Sequence, residues 1–155
     1  MLKTMARKTT KDYLFVGFQF LLFLAYVWEP TWLTFRRSDT IGNLGLLLAV
    51  AAVLAGFAAF TLLWKAFSPF PTPVEEGELI TDHLYAISRH PIYTSLLLAA
   101  FGYALYTGSG YRMVVSLALV VLFYFKSDYE EQQLSAHYPD YAEYKKKVGR
   151  FGPWF

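Results

Sequence analysis

Four stretches of the chain are almost unbroken in apolar side chains, and its polar residues are gathered between and after them: Tyr13–Trp28, Leu44–Trp64, Ile92–Tyr106 and Met113–Phe125. A helix that crosses a bilayer needs roughly 20 apolar residues. The second stretch satisfies this outright. The first does so when extended at both ends, with Gln19 as its only polar interruption. The third and fourth are shorter, 15 and 13 residues, and are joined by the helix-breaking segment TGSGYR (107–112). They read as a short helical hairpin. The expectation is an all-α integral membrane protein with about four transmembrane helices.

Composition supports that solvent. Of 155 residues, 55% are hydrophobic and only 17% charged, against a usual quarter, so one small soluble core cannot hide the apolar side chains. The length suits a single domain, with an N-terminal helix pair over 1–66 and the polar motifs over 67–155. Lys3, Arg7, Lys8, Lys11, Lys65, Arg89, Lys126, Lys145, Lys146, Lys147 and Arg150 fall on one side if all four stretches cross. Only Arg36, Arg37 and Arg112 fall on the other. The positive-inside rule then puts both termini and the 67–90 loop in the cytoplasm. No A-x-A-like site follows the first stretch, so no cleavable signal peptide is expected.

Several function classes recede. No Asp, Glu, Lys, Arg or His lies inside the four stretches, which disfavours a pump or coupled transporter. A net charge of +2 gives no reason to expect a nucleic-acid partner. There are no cysteines, and three scattered histidines (83, 90 and 137) make a poor metal set, so no metal is expected. No glycine-rich phosphate loop or nucleophile elbow is present. Gly45, Ala49, Ala52, Gly56 and Ala59 form one small-residue face of the second helix, as Ser95, Ala99 and Gly102 do on the third. Such faces let helix backbones approach closely.

The polar segments carry the chemistry. The loop 67–90 is long for a compact protein, starts stiffly with Pro69, Pro71 and Pro73, and then has enough apolar residues to fold back. It ends in Ser-Arg-His-Pro. Pro91 suits the first turn of a helix. Arg89 and His90 are cations where a helix N-terminus disfavours them, which makes sense if an anion is bound there together with the free N–H groups of Ile92 and Tyr93. Capping alone is the other reading. The segment 126–137 has strong helix propensity and continues the fourth helix. Lys126 and Glu130 share a face as a possible surface ion pair, while Glu130 and Glu131 together suit an ammonium or sulfonium cation. Tyr138, Tyr141 and Tyr144 fit an interfacial segment, and the lysines beside them an anionic lipid surface.

Taken in order, GELITDHLYAISRHPIYTS (77–95), the helical hairpin, YEEQQL (129–134) and YAEYKKKVGRFGP (141–153) resemble the integral membrane methyltransferases that include isoprenylcysteine carboxyl methyltransferase. Phospholipid N-methyltransferases are more distant relatives of that family. The resemblance covers roughly residues 68–153 and implies an S-adenosylmethionine pocket closed by the cytoplasmic loop and a C-terminal amphipathic helix. It implies cofactor contacts at Gly77, Glu78, Leu79, Ile80, Tyr85, His90, Pro91, Ile92, Tyr93 and Glu130, with Glu131 adjacent. Arg89 and Lys126 would position the substrate. Two positions depart from the family: Lys126 stands where arginine is usual, and His83 where relatives often carry glycine. The implied activity is methyl transfer to a lipophilic small-molecule or prenylated acceptor at the cytoplasmic face of a prokaryotic membrane, with carboxyl O-methylation ranked first. Phospholipid, amine or thiol methylation is the alternative, as is a non-enzymatic membrane scaffold that keeps the fold.

Overall fold

The helix boundaries follow from local capping. In the computed structural model, residues 8–28, 30–64, 68–73 and 78–153 are described. Helix α1 spans Thr10–Val27, and its N-cap Thr9 forms a capping box with Asp12. Helix α2 spans Asp39–Leu63, where the Ser38 side chain accepts the Ile41 N–H. Pro91 is the first residue of α3 (Pro91–Thr107), which Gly108 ends in the left-handed conformation, φ +64°. Ser109 then caps α4 (Gly110–His137) by accepting the Arg112 N–H. A side-chain oxygen that satisfies an orphan donor in this way is worth about 1 kcal/mol per helix start. The short α5 covers Tyr141–Lys147, and a single 3₁₀ turn covers His83–Ala86.

All the regular elements described are helical, apart from one isolated bridge between Thr34 and Ser109. By length and composition α1, α2 and α4, at 18, 25 and 28 residues, can cross a membrane. Helix α3 has 17 residues, at the short end of the spanning range. The helices pack in the order α2–α3–α4–α1. Their outer faces expose Leu14, Phe18, Leu21 and Leu24 on α1 and Leu44, Leu47, Val53 and Phe57 on α2. In water those faces would aggregate. They belong in lipid, and the protein is an integral membrane protein.

The small-residue faces do what their composition suggests. A Cβ added at Gly102 would sit 2.6 Å from the Gly45 carbonyl oxygen, and one added at Gly45 an equal 2.6 Å from that of Gly102. Helices α2 and α3 therefore touch backbone to backbone. On the other side of α3, Leu97, Leu119 and Phe123 form the buried apolar centre shared with α4. This pair of contacts holds the N-terminus of α3 against the long polar extension of α4.

Candidate functional site

Where α4 continues past its apolar part, it meets the N-terminus of α3, the proline-rich stretch 68–73, the segment 78–85 and α5. Two adjoining cavities lie there. The first is lined by Glu78, Leu79 and Ile80 from the loop, Phe70, Pro71 and Pro73 from the proline-rich stretch, and Tyr138, Tyr141 and Tyr144 near α5. The second is lined by Gln19, Pro69, His90, Pro91, Ile92, Tyr93, Leu96 and Lys126. Leu63, Ser68, Tyr85, Arg89 and Glu130 wall both. Of the sequence-predicted residues that are described, all except Glu131 thus line one cavity or the other. Gly77 lies outside the described residues.

Glu130 stands on the shared wall, three-quarters buried, and accepts the Tyr93 hydroxyl at 2.8 Å. His90 Nδ1 is 3.8 Å from the same carboxylate. The Tyr93 ring is fixed by stacking between the His90 ring (5.4 Å) and Phe123 (4.7 Å). One carboxylate oxygen direction is therefore held, and the cavity side of Glu130 stays available to a cation.

Glu131 has another place. Its carboxylate is 1% exposed and is met by Arg89 at 2.9 Å, His90 Nε2 at 3.2 Å, Lys145 Nζ at 2.8 Å and Arg150 at 3.3 Å. The anion that makes sense of Arg89 and His90 before a helix is this side chain of α4. Backbone bonds reinforce the cluster: the Arg89 and His90 N–H groups donate to the Gly149 and Arg150 carbonyls, at 2.9 and 3.1 Å. The Arg89 guanidinium also donates to the carbonyls of Lys145 and Val148. Of its five N–H groups, one on Nη2 has no partner among the described residues, and Arg89 lines both cavities.

Lys126 makes no ion pair with Glu130. Buried to 1% exposure, it donates to Gln19 Oε1 at 2.6 Å and to the Pro69 carbonyl at 3.0 Å, with the Tyr93 ring 5.3 Å away. It thus ties α4 to both α1 and the proline-rich stretch. A second tie is Asp12, wholly buried, whose Oδ2 accepts the Thr72 hydroxyl at 2.8 Å. Sequence reasoning passed over Asp12 and Gln19. Their signals were legible: a carboxylate three residues after Thr9, and the one amide in an apolar stretch.

The tyrosines also differ from the interfacial expectation. Tyr141 and Tyr144 are buried in the protein, 1% and 8% exposed, because α5 folds back onto the cavity. The Tyr144 hydroxyl donates to the Tyr85 carbonyl at 2.5 Å, and the Tyr85 hydroxyl donates to that of Ala59. Burial pushes the Tyr144 phenol up to about 12. Burial, with nearby glutamates, raises Tyr85 and Tyr141 further, so all three are protonated donors at neutral pH. His83 keeps the left-handed backbone, φ +51°, that relatives give to glycine, and points its side chain to solvent. The cavity wall is unaffected by it.

Further into the membrane, a third cavity of about 460 Å³ lies between α1 and α2 over α3 and α4, lined by Phe23, Val50, Leu54, Ala99 and Tyr103 among others. Leu96 is common to it and to the second polar cavity. Among the described residues, no three His, Asp or Glu side chains are grouped as a metal would require.

The family model for phospholipid methyltransferase matches residues 40–141. The chain is 28% identical over 134 residues to the cobalt-zinc-cadmium resistance protein CzcN of Cupriavidus metallidurans, covering 86% of this chain and 56% of that protein. It is 24% identical over 127 residues to the nickel-cobalt-cadmium resistance protein NccN of Alcaligenes xylosoxydans xylosoxydans, covering 81% and 54%. The chain thus spans little more than half the length of either. Among solved structures it resembles a eukaryotic intramembrane Ras methyltransferase, isoprenylcysteine carboxyl methyltransferase, with a TM-score of 0.71 at 18% identity over 96% of this chain and 55% of that one. The family model spans α2 to α4 and the structural likeness nearly the whole chain, and the chain belongs to the phospholipid methyltransferase family, with a fold like that of isoprenylcysteine carboxyl methyltransferase.

Proposed function

We propose that the protein is a membrane methyltransferase that takes its methyl group from S-adenosylmethionine and passes it to a lipophilic acceptor at the cytoplasmic face. The observation that carries this reading is Glu130, on the wall common to the two adjoining cavities. The donor set fits the cofactor. Glu130 offers a carboxylate to an ammonium, the free Arg89 Nη2 N–H suits a carboxylate, and Tyr85, Phe70 and Leu79 give apolar surface for a nucleoside. When bound, the cofactor supplies an electrophilic methyl group on sulfonium. The two polar cavities hold about 90 and 140 Å³, below the roughly 300 Å³ of a small-molecule site. Binding therefore requires the two cavities to merge or widen.

The chain's own residues then act by holding and aligning. Methyl transfer is an in-line displacement, so positioning supplies much of the rate. Lys126 faces the second cavity and suits the polar end of an acceptor, a carboxylate first, which needs no deprotonation to react. The neighbouring apolar cavity, joined through Leu96, suits that acceptor's aliphatic or prenyl chain entering from the bilayer. Incubation of the purified protein with methyl-labelled S-adenosylmethionine and extracted membrane lipids tests the reading. Label in an organic-extractable product, released by base if it is an ester, supports it. No transfer to lipid, with no cofactor binding, would leave a membrane scaffold that keeps the fold.

A further inference from the structure

Tyr141 lines the first cavity with a buried hydroxyl that no described residue takes up. It is 1% exposed, yet its hydroxyl has no hydrogen-bond partner among the described residues. A buried, unsatisfied hydroxyl costs about 1–3 kcal/mol, and such groups in native structures call for an explanation. Its neighbours make the contrast plain. The hydroxyls of Tyr85 and Tyr144, which line the same cavity, are each taken up by a backbone carbonyl. Tyr141 shares that cavity with Arg89 and Glu130, and the field of Arg89, Glu130 and Glu131 acts on its hydroxyl.

We infer that the Tyr141 hydroxyl is a binding donor for the carboxylate of the cofactor's aminoacyl end, acting beside the free Nη2 N–H of Arg89. The inference rests on the cofactor reading above and adds to it a residue and the group it recognises. A protonated phenol can only donate to an anion, and a carboxylate accepts from both donors at once. Glu130, on the same wall, then takes the ammonium of that aminoacyl end. Opposite charges on the ligand meet opposite groups in the site.

Tyr141→Phe deletes the oxygen and leaves the ring. Calorimetric titration of wild-type and Tyr141→Phe protein in detergent is made with S-adenosylmethionine and with 5′-methylthioadenosine, which lacks the aminoacyl end. The expected result is a loss of roughly ten- to a hundredfold in affinity for the first, the range for a hydrogen bond to a charged group, with the second unchanged. The melting temperature of the unliganded variant should hold or rise, since an unsatisfied buried hydroxyl is gone. Equal loss for both ligands, a fall in melting temperature with no ligand selectivity, or unchanged binding of S-adenosylmethionine would each overturn the inference alone. Wild-type protein that binds neither ligand would overturn the cofactor reading and this inference with it.

Discussion

At the scale of single residues, the side chains divide into those that build the site and those left free in it. Glu131 belongs to the first group. Four basic side chains, two from the segment just before α3, one from α5 and one from the C-terminal segment, converge on its buried carboxylate. Removing one partner of a buried ionic cluster typically costs about 3–5 kcal/mol, because the remaining charges stay buried and unpaired. Glu131→Ala should therefore lower the melting temperature sharply in detergent and release the C-terminal segment to proteolysis. A melting temperature like that of the wild type would contradict the placement. The sequence made the acidic pair visible but not the division of labour within it. Adjacent residues on a helix point about 100° apart, and only the path of the chain beyond α4 decides which one meets the cations. Lys126 was equally ambiguous. Its i,i+4 spacing to Glu130 suggested a pair, whereas burial against α1 gives it the Gln19 oxygen and a backbone carbonyl instead.

At the scale of elements, the order α2–α3–α4–α1 depends on how closely α2 and α3 approach. A Cβ at Gly102 would lie 2.6 Å from the Gly45 carbonyl oxygen and 2.8 Å from the Ala49 nitrogen, both backbone atoms that cannot rotate away. Gly17, on α1, has nothing within 4 Å of its added Cβ. Gly102→Ala should destabilise by about 1–3 kcal/mol. Gly17→Ala should be neutral or stabilising by up to about 1 kcal/mol, the helix-propensity difference. Thermal melts of the two variants check the pair, and equal effects would argue against the backbone contact. The helices themselves were legible because apolar runs, Pro91 and the Gly108–Ser109 break are local signals. The fourth helix's extension to His137 was also readable from propensity. The inward fold of α5 was not, since tyrosines at 138, 141 and 144 serve equally well at a headgroup layer and against a buried cavity.

At the scale of the whole molecule, the arrangement is a thin membrane bundle with its polar machinery gathered at one end. From the bias of Lys and Arg in the sequence we propose that this end faces the cytoplasm. The chain has no cysteine, so single cysteines can be introduced without background. A cysteine at Lys146 should react with a membrane-impermeant maleimide only after the cytoplasmic face is opened, and one at Thr40 before. The reverse would invert the topology and put the site on the outer face.

The central claim is that Glu130 anchors S-adenosylmethionine between the two polar cavities. Calorimetric titration of S-adenosylmethionine into detergent-purified wild-type and Glu130→Gln protein tests it most directly. The account predicts saturable binding by the wild type and at least about tenfold weaker binding by the variant, with unchanged melting of the unliganded protein. Equal affinity in the two proteins, or no binding by folded wild-type protein, would contradict it.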